Sequence, residues 1–145
     1  MKKTKFIPKK EFDKIYSRVP RLCVEVCIVS KDGIVLTKRA IEPANGKWHL
    51  PGGTVRYKER LTDTVKRIAL EETNLKVKPE KILGIIEYPN FDGYKGHPVS
   101  ICFLVSIKGG KLKYNGDATD IQFFKKMPRS IIKEHRDFIV ANIKL

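Results

Sequence analysis

The chain has 145 residues, with 30 Lys and Arg against 16 Asp and Glu, for a net charge of +14. Its 41% hydrophobic content suits one soluble globular domain spanning 1–145, and no apolar run nears the roughly 18 residues of a membrane-spanning helix. The positive balance suits an anionic partner or a lysine-rich surface with no special ligand. The lysines are scattered, and no RNA-binding motif with interleaved aromatics is present, which disfavours nucleic acid.

The first residues, MKKTKF, are basic, but no apolar stretch follows them, so no signal peptide is expected and the chain is assigned to the cytoplasm. Residues 8–18 read as a short amphipathic helix, with Pro8 at its start and Phe12, Ile15 and Tyr16 on its apolar face. Residues 22–29 read as a strand, Lys31-Asp32-Gly33 as a hairpin turn, and residues 34–38 as the returning strand. Glu25 interrupts the apolar run of the first strand. It is either an exposed position on a half-buried strand or a recognition group at a cleft. Cys23, Cys27 and Cys102 all lie in apolar strand-like runs, and their odd count predicts free thiols in a reducing compartment. A loop over 40–46 leads into Lys47-Trp48-His49-Leu50-Pro51-Gly52-Gly53, where Trp48 reads as core packing.

Residues 53–75, GTVRYKERLTDTVKRIALEETNL, carry the strongest pattern. Leu61, Val65, Ile68 and Ala69 fall on one helical stripe. Asn74 stands where the helix stops, because Asn tolerates the left-handed conformation second only to Gly. Glu71 and Glu72 are adjacent acids near that end. Such a pair can hold a hard divalent cation through oxygen, and Mg²⁺ held this way bridges to substrate phosphates. Beyond the helix, 81–88 reads as a buried strand, 89–98 as a loop whose Phe91 and Tyr94, with Tyr88, either stack on a base or pack the loop, and 99–107 as a strand. A short strand over 111–114, a loop over 115–120 and a strand over 121–124 follow. Pro128 marks a final helix with Ile131, Ile132, His135, Phe138 and Ile139 on one stripe; His49 and His135 read as structural. Helix, strands, helix, strands and helix in that order predict an α+β domain with helices flanking the sheet.

The spacing of this segment resembles the Nudix box, G-x5-E-x7-R-E-U-x-E-E-x-G-U, in which U is a bulky aliphatic residue. Gly53, Glu59, Arg67, Glu71, Glu72 and Leu75 match it in register. The W-x-x-P-G-G run at Trp48 is also frequent in that family. Three positions depart from the box: Ile68 replaces its first helical Glu, Ala69 its bulky residue and Asn74 its Gly. The resemblance implies an α/β/α sandwich around a mixed sheet, with Mg²⁺ (Mn²⁺ as alternative) held by Glu71, Glu72 and the Gly53 carbonyl. It implies that Arg67 orients a carboxylate or contacts phosphate, and that Glu59 is structural or a secondary metal contact. A homodimer is carried over from the resemblance alone.

Ile68 narrows the resemblance, since the GDP-mannose mannosyl hydrolase branch also has an aliphatic residue there and cleaves at the sugar carbon. Residues 38–53, KRAIEPANGKWHLPGG, are similar to that branch's pattern, in which the arginine, here Arg39, contacts substrate. Glu25 falls near an acid that contacts guanine. The branch's metal-binding Gln and basic His would fall within Gly116-Asp117-Ala118-Thr119-Asp120. Asp117 can replace the ligand and Ala118 cannot replace the base, which leaves Asp120, Asp117 and, more distantly, His97 as candidates. Three readings follow: a Mg²⁺-dependent hydrolase of a nucleotide sugar such as GDP-mannose, an ordinary Nudix pyrophosphohydrolase with its base from 117–120, and a module that binds nucleotide without turnover.

Overall fold

The computed structural model describes residues 6–42, 44–89 and 96–145. Phe91 and Tyr94 lie outside the described residues. In chain order the elements are α1 (Lys9–Tyr16), β1 (Pro20–Ser30), β2 (Gly33–Arg39), β3 (Trp48–His49), β4 (Gly52–Thr54), α2 (Leu61–Thr73), β5 (Leu75–Glu87), β6 (His97–Gly110), β7 (Ala118–Phe124) and α3 (Lys133–Asn142). The sheet runs β3-β2-β1-β6-β5, with β4 on β1 and β7 on β2. It is mixed, because β1 and β6 pair in parallel whereas the other pairs are antiparallel.

The alternation of β1 builds both faces. Val24, Val26 and Ile28 enter one apolar cluster with Val65, Ile68 and Ala69 of α2. Cys27 enters the opposite cluster with Trp48, Leu50, Tyr88, Cys102 and Ile139 of α3. A period of two on the strand thus separates the two helical layers, giving helix, sheet and helix. Glu25 shares its parity with Cys27, so it points to the α3 side. α3 closes on β5 where Gly84 has no side chain: a Cβ there would lie 3.1 Å from the Phe138 ring.

Several boundaries differ from the sequence reading. The two-residue turn is Lys31-Asp32, and Gly33 (φ 117°) opens β2, where any Cβ would strike the Phe124 carbonyl. β5 begins at Leu75 rather than at 81, and as an edge strand it exposes Ile82 and Ile85. Residues 111–114 form no strand, and β7 starts at Ala118. α3 starts at Lys133, five residues past Pro128. Asn74 does end α2 in the left-handed region (φ 61°), its N–H donating to the Leu70 carbonyl. All three cysteines are free and buried, and no helix of the described residues is long and apolar enough to cross a membrane.

Candidate active site

Two chambers meet at Arg39, His49, Gly52 and Glu72. The inner one, about 150 Å³, is also lined by Arg21, Cys23, Glu25, Tyr88, Ser100 and His135. The outer one adds Thr37, Glu71 and the 115–118 segment, so Asp117 and Ala118 face the same cleft as the paired acids.

The junction is built by the glycine turn and the end of α2. The Gly52 N–H donates to Glu72 Oε2 at 2.9 Å. Burial, with Glu71 beside it, pushes the Glu72 carboxyl up to about 8. A Cβ on Gly52 would sit 1.9 Å from Glu25 Oε2, so only glycine lets the two buried acids lie on either side of this turn. Burial also raises Glu25 to about 8, with Glu72 adding to the rise against the lowering effect of its hydroxyl donors.

Arg67 sits behind the turn and not in the cleft. Its Nε and Nη2 grip both oxygens of Glu59 at 2.8 and 3.0 Å, and Nη2 also donates to the Thr54 carbonyl at 3.0 Å. Nη1 reaches Glu71 Oε2 at 3.2 Å. The bidentate pair, reinforced by the Thr64 hydroxyl and the Arg56 N–H, holds Glu59 down at about 2 even though burial acts the other way. Arg67 therefore positions the loop against α2 and orients Glu71. Ile68 is 2% exposed and packs beneath Gly53, its Cδ1 3.2 Å from where a Cβ of that glycine would lie. It belongs to the core, so α2 adds no third acid beside Glu71 and Glu72 at this position.

Glu25 is not the exposed position that its strand context allowed; it is 7% exposed. Its Oε1 accepts from the Tyr88 hydroxyl at 3.1 Å and the Ser100 hydroxyl at 3.0 Å. Tyr88 in turn is not an exposed stacking surface; it is 3% exposed. His135 Nδ1 accepts the Leu50 N–H at 2.9 Å, so the neutral ring carries its proton on Nε2 and donates it to the Tyr88 oxygen at 2.8 Å. Burial keeps His135 neutral, its pKa lowered to about 3. A directed chain of hydrogen bonds thus runs from α3 through Tyr88 to Glu25.

Asp120 is not brought to the cleft walls. Its two oxygens accept from the Ile121 N–H at 2.8 Å and Gln122 Nε2 at 2.9 Å on β7 itself. His97 opens β6 and is exposed. Gly53 lines the inner chamber and Arg39 both chambers, as a substrate-facing role requires. His49 and His135, both read from the chain alone as structural, line the inner chamber, and His135 is buried within its hydrogen-bonded wall. For His49 a signal existed: in a strand, a buried Trp48 turns its neighbour to the opposite face.

The donor set fits a hard cation. A buried carboxylate pushed up toward neutrality beside a second acid is relieved by a divalent ion. Among the described residues no three His, Cys, Asp or Glu side chains converge on one point.

The family model of the NUDIX domain matches residues 19–136. An ADP-ribose pyrophosphatase of Methanocaldococcus jannaschii is 37% identical over 105 residues, which are 72% of this chain and 62% of that protein, so the chain spans less than two thirds of that relative. The low-salt glycan biosynthesis protein Agl8 of Haloferax volcanii is 33% identical over 129 residues, covering 86% of this chain and 83% of its own. A MutT NUDIX hydrolase from Burkholderia pseudomallei has the same fold, with a TM-score of 0.76 at 24% identity over 84% of this chain and 97% of that one.

Proposed function

The chain belongs to the NUDIX domain family, and from that premise we propose that it is a Nudix-type hydrolase that cleaves a nucleoside diphosphate joined to a sugar, in the presence of Mg²⁺. The observation that carries this reading is the junction at Glu72. Glu72 stands where the two chambers meet, with Glu71 beside it in the outer one, so a diphosphate held there would send its nucleoside into one and its sugar into the other.

Glu72 and Glu71, with the Gly53 carbonyl, would hold Mg²⁺ (or Mn²⁺), and Asp117 on the outer wall would add a further oxygen. The ion, when bound, neutralises the diphosphate and polarises the bond to be broken. Arg39 lines both chambers and contacts the phosphates. Gly52 fixes one Glu72 oxygen, Arg67 fixes Glu71, and the Tyr88 and Ser100 hydroxyls fix Glu25 at the inner wall, where it meets the buried end of the substrate. Water then attacks phosphorus, as the relationship to an ADP-ribose pyrophosphatase supports. A second reading, attack at the sugar carbon as in the GDP-mannose mannosyl hydrolases, is favoured by Ile68 and Ala118, which remove two family acid–base positions.

Incubation with Mg²⁺ and a panel of ADP-ribose, GDP-mannose and UDP-glucose tests this. Nucleoside monophosphate plus sugar phosphate is the expected outcome. Nucleoside diphosphate plus free sugar would shift the reading to carbon, and tight binding without any product would leave a nucleotide-binding module.

A further inference from the structure

We infer that His49 is the proton acceptor for the attacking water, an assignment that rests on the hydrolase reading above. β3 is two residues long, and Trp48 occupies its core-facing side, so His49 turns to the cleft, where it lines both chambers together with Arg39 and Glu72. Its Nδ1 lies 2.7 Å from the Leu50 carbonyl. A carbonyl only accepts, so Nδ1 carries the hydrogen, and Nε2 of the neutral ring presents a lone pair. Nε2 has no protein hydrogen-bond partner among the described residues.

The acids of the cleft each have one oxygen bonded: Glu72 Oε2 takes the Gly52 N–H and Glu71 Oε2 takes Arg67, both on the side where the metal would be held, and Glu25 Oε1 takes Tyr88 and Ser100 at the inner wall. Asp120 is tied up on β7, while Ile68 and Ala118 carry no acceptor at all. Asp117, an exposed loop acid, is the remaining competitor. Burial, with the cation of Arg39 nearby, lowers the His49 pKa to about 4, so the ring is unprotonated at neutral pH. A diphosphate entering beside it adds negative charge and raises its basicity as the reaction begins.

The step balances without a further reagent. The water oxygen forms a bond to one phosphorus as its proton passes to Nε2. The bridging P–O bond breaks, and its electron pair leaves with the other phosphate. The imidazolium then returns its proton to solvent.

Long-range ¹H–¹⁵N NMR of the wild type, with Mg²⁺ and a methylene-bridged ADP-ribose analogue, reads the ring without turnover. The expected result is an Nδ1–H tautomer whose Nε2 resonance moves when the analogue binds; a protonated Nε2 in the free protein, or an unmoved resonance in the complex, overturns the assignment. On whichever nucleotide sugar the wild type hydrolyses, His49→Gln should lower kcat about 10²- to 10⁴-fold with KM changed only a few-fold. Thermal unfolding checks that this variant folds. An unchanged kcat with raised KM, or a larger kcat loss in Asp117→Asn than in His49→Gln, also overturns it. A wild type that hydrolyses nothing in the panel counts against the hydrolase reading, while the tautomer still decides His49.

Discussion

The inner and outer chambers share Glu72 and are built by opposite means. On the inner side the polar atoms around Glu25 satisfy one another across long stretches of chain: Leu50 to His135, His135 to Tyr88, Tyr88 and Ser100 to Glu25. On the outer side Glu71 is half exposed, and the 115–117 segment reaches it through a single bond from Asn115 to the Glu71 carbonyl oxygen. A buried wall of linked hydrogen bonds is intolerant, because each lost partner leaves a desolvated group. A solvated rim adjusts. On the proposed function, specificity and orientation would belong to the inner wall, and adaptation to different phosphate-linked groups to the outer one.

The most disruptive break in this contrast is Gly52→Ala. Its Cβ would meet Glu25 Oε2 and, 2.8 Å away, the Val24 carbonyl, neither of which can yield. Turnover should be lost, and urea unfolding should show roughly 1–3 kcal/mol of destabilisation. Glu72→Gln comes next: it should weaken Mg²⁺ binding about 100-fold by titration calorimetry, whereas Glu71→Gln, on the solvated side, should weaken it about 10-fold. Equal effects would erase the distinction between the two sides. Tyr88→Phe removes the central hydroxyl of the inner chain and leaves the His135 Nε2–H without its acceptor; a loss of about 1–3 kcal/mol is expected in denaturant melts.

The smallest effect is a pH dependence. Glu25 and Glu72 hold protons more tightly folded than unfolded, so in the metal-free protein their contribution is full below 4.5 and declines as pH rises toward about 8. Buried His135 and half-buried His49 act in the other direction, losing theirs as pH falls from 6.5 toward about 3 and 4. Mg²⁺ relieves the acids and not the imidazoles. The rise in Tm on adding Mg²⁺ should accordingly be a few degrees greater at pH 8 than at pH 5 by calorimetry.

What the bare sequence discloses follows the same division. The segment from Gly53 to Leu75 is local: its helical stripe, its Asn74 stop and the Arg67–Glu59 register are all set within one stretch of chain, and they were legible. The layered fold was legible as well, because β1 alternates and α2 carries one apolar stripe. Glu25 was visible as an anomaly, but its partners lie 63 and 75 residues away. Nothing short-range announces that Tyr88 faces inward or that His135 reaches Leu50. Asp120 attracted attention as a loop acid, whereas strand pairing with β2 extends β7 through 118–120 and its carboxylate accepts bonds from Ile121 and Gln122.

The bond from the Leu50 N–H to His135 has a practical consequence. A fragment ending before α3 would retain every residue of the recognisable signature yet lack the post that holds Tyr88, and through it the buried acid. Motif completeness and functional completeness part company in this protein. A truncated or C-terminally fused version should be judged by whether its last helix still docks.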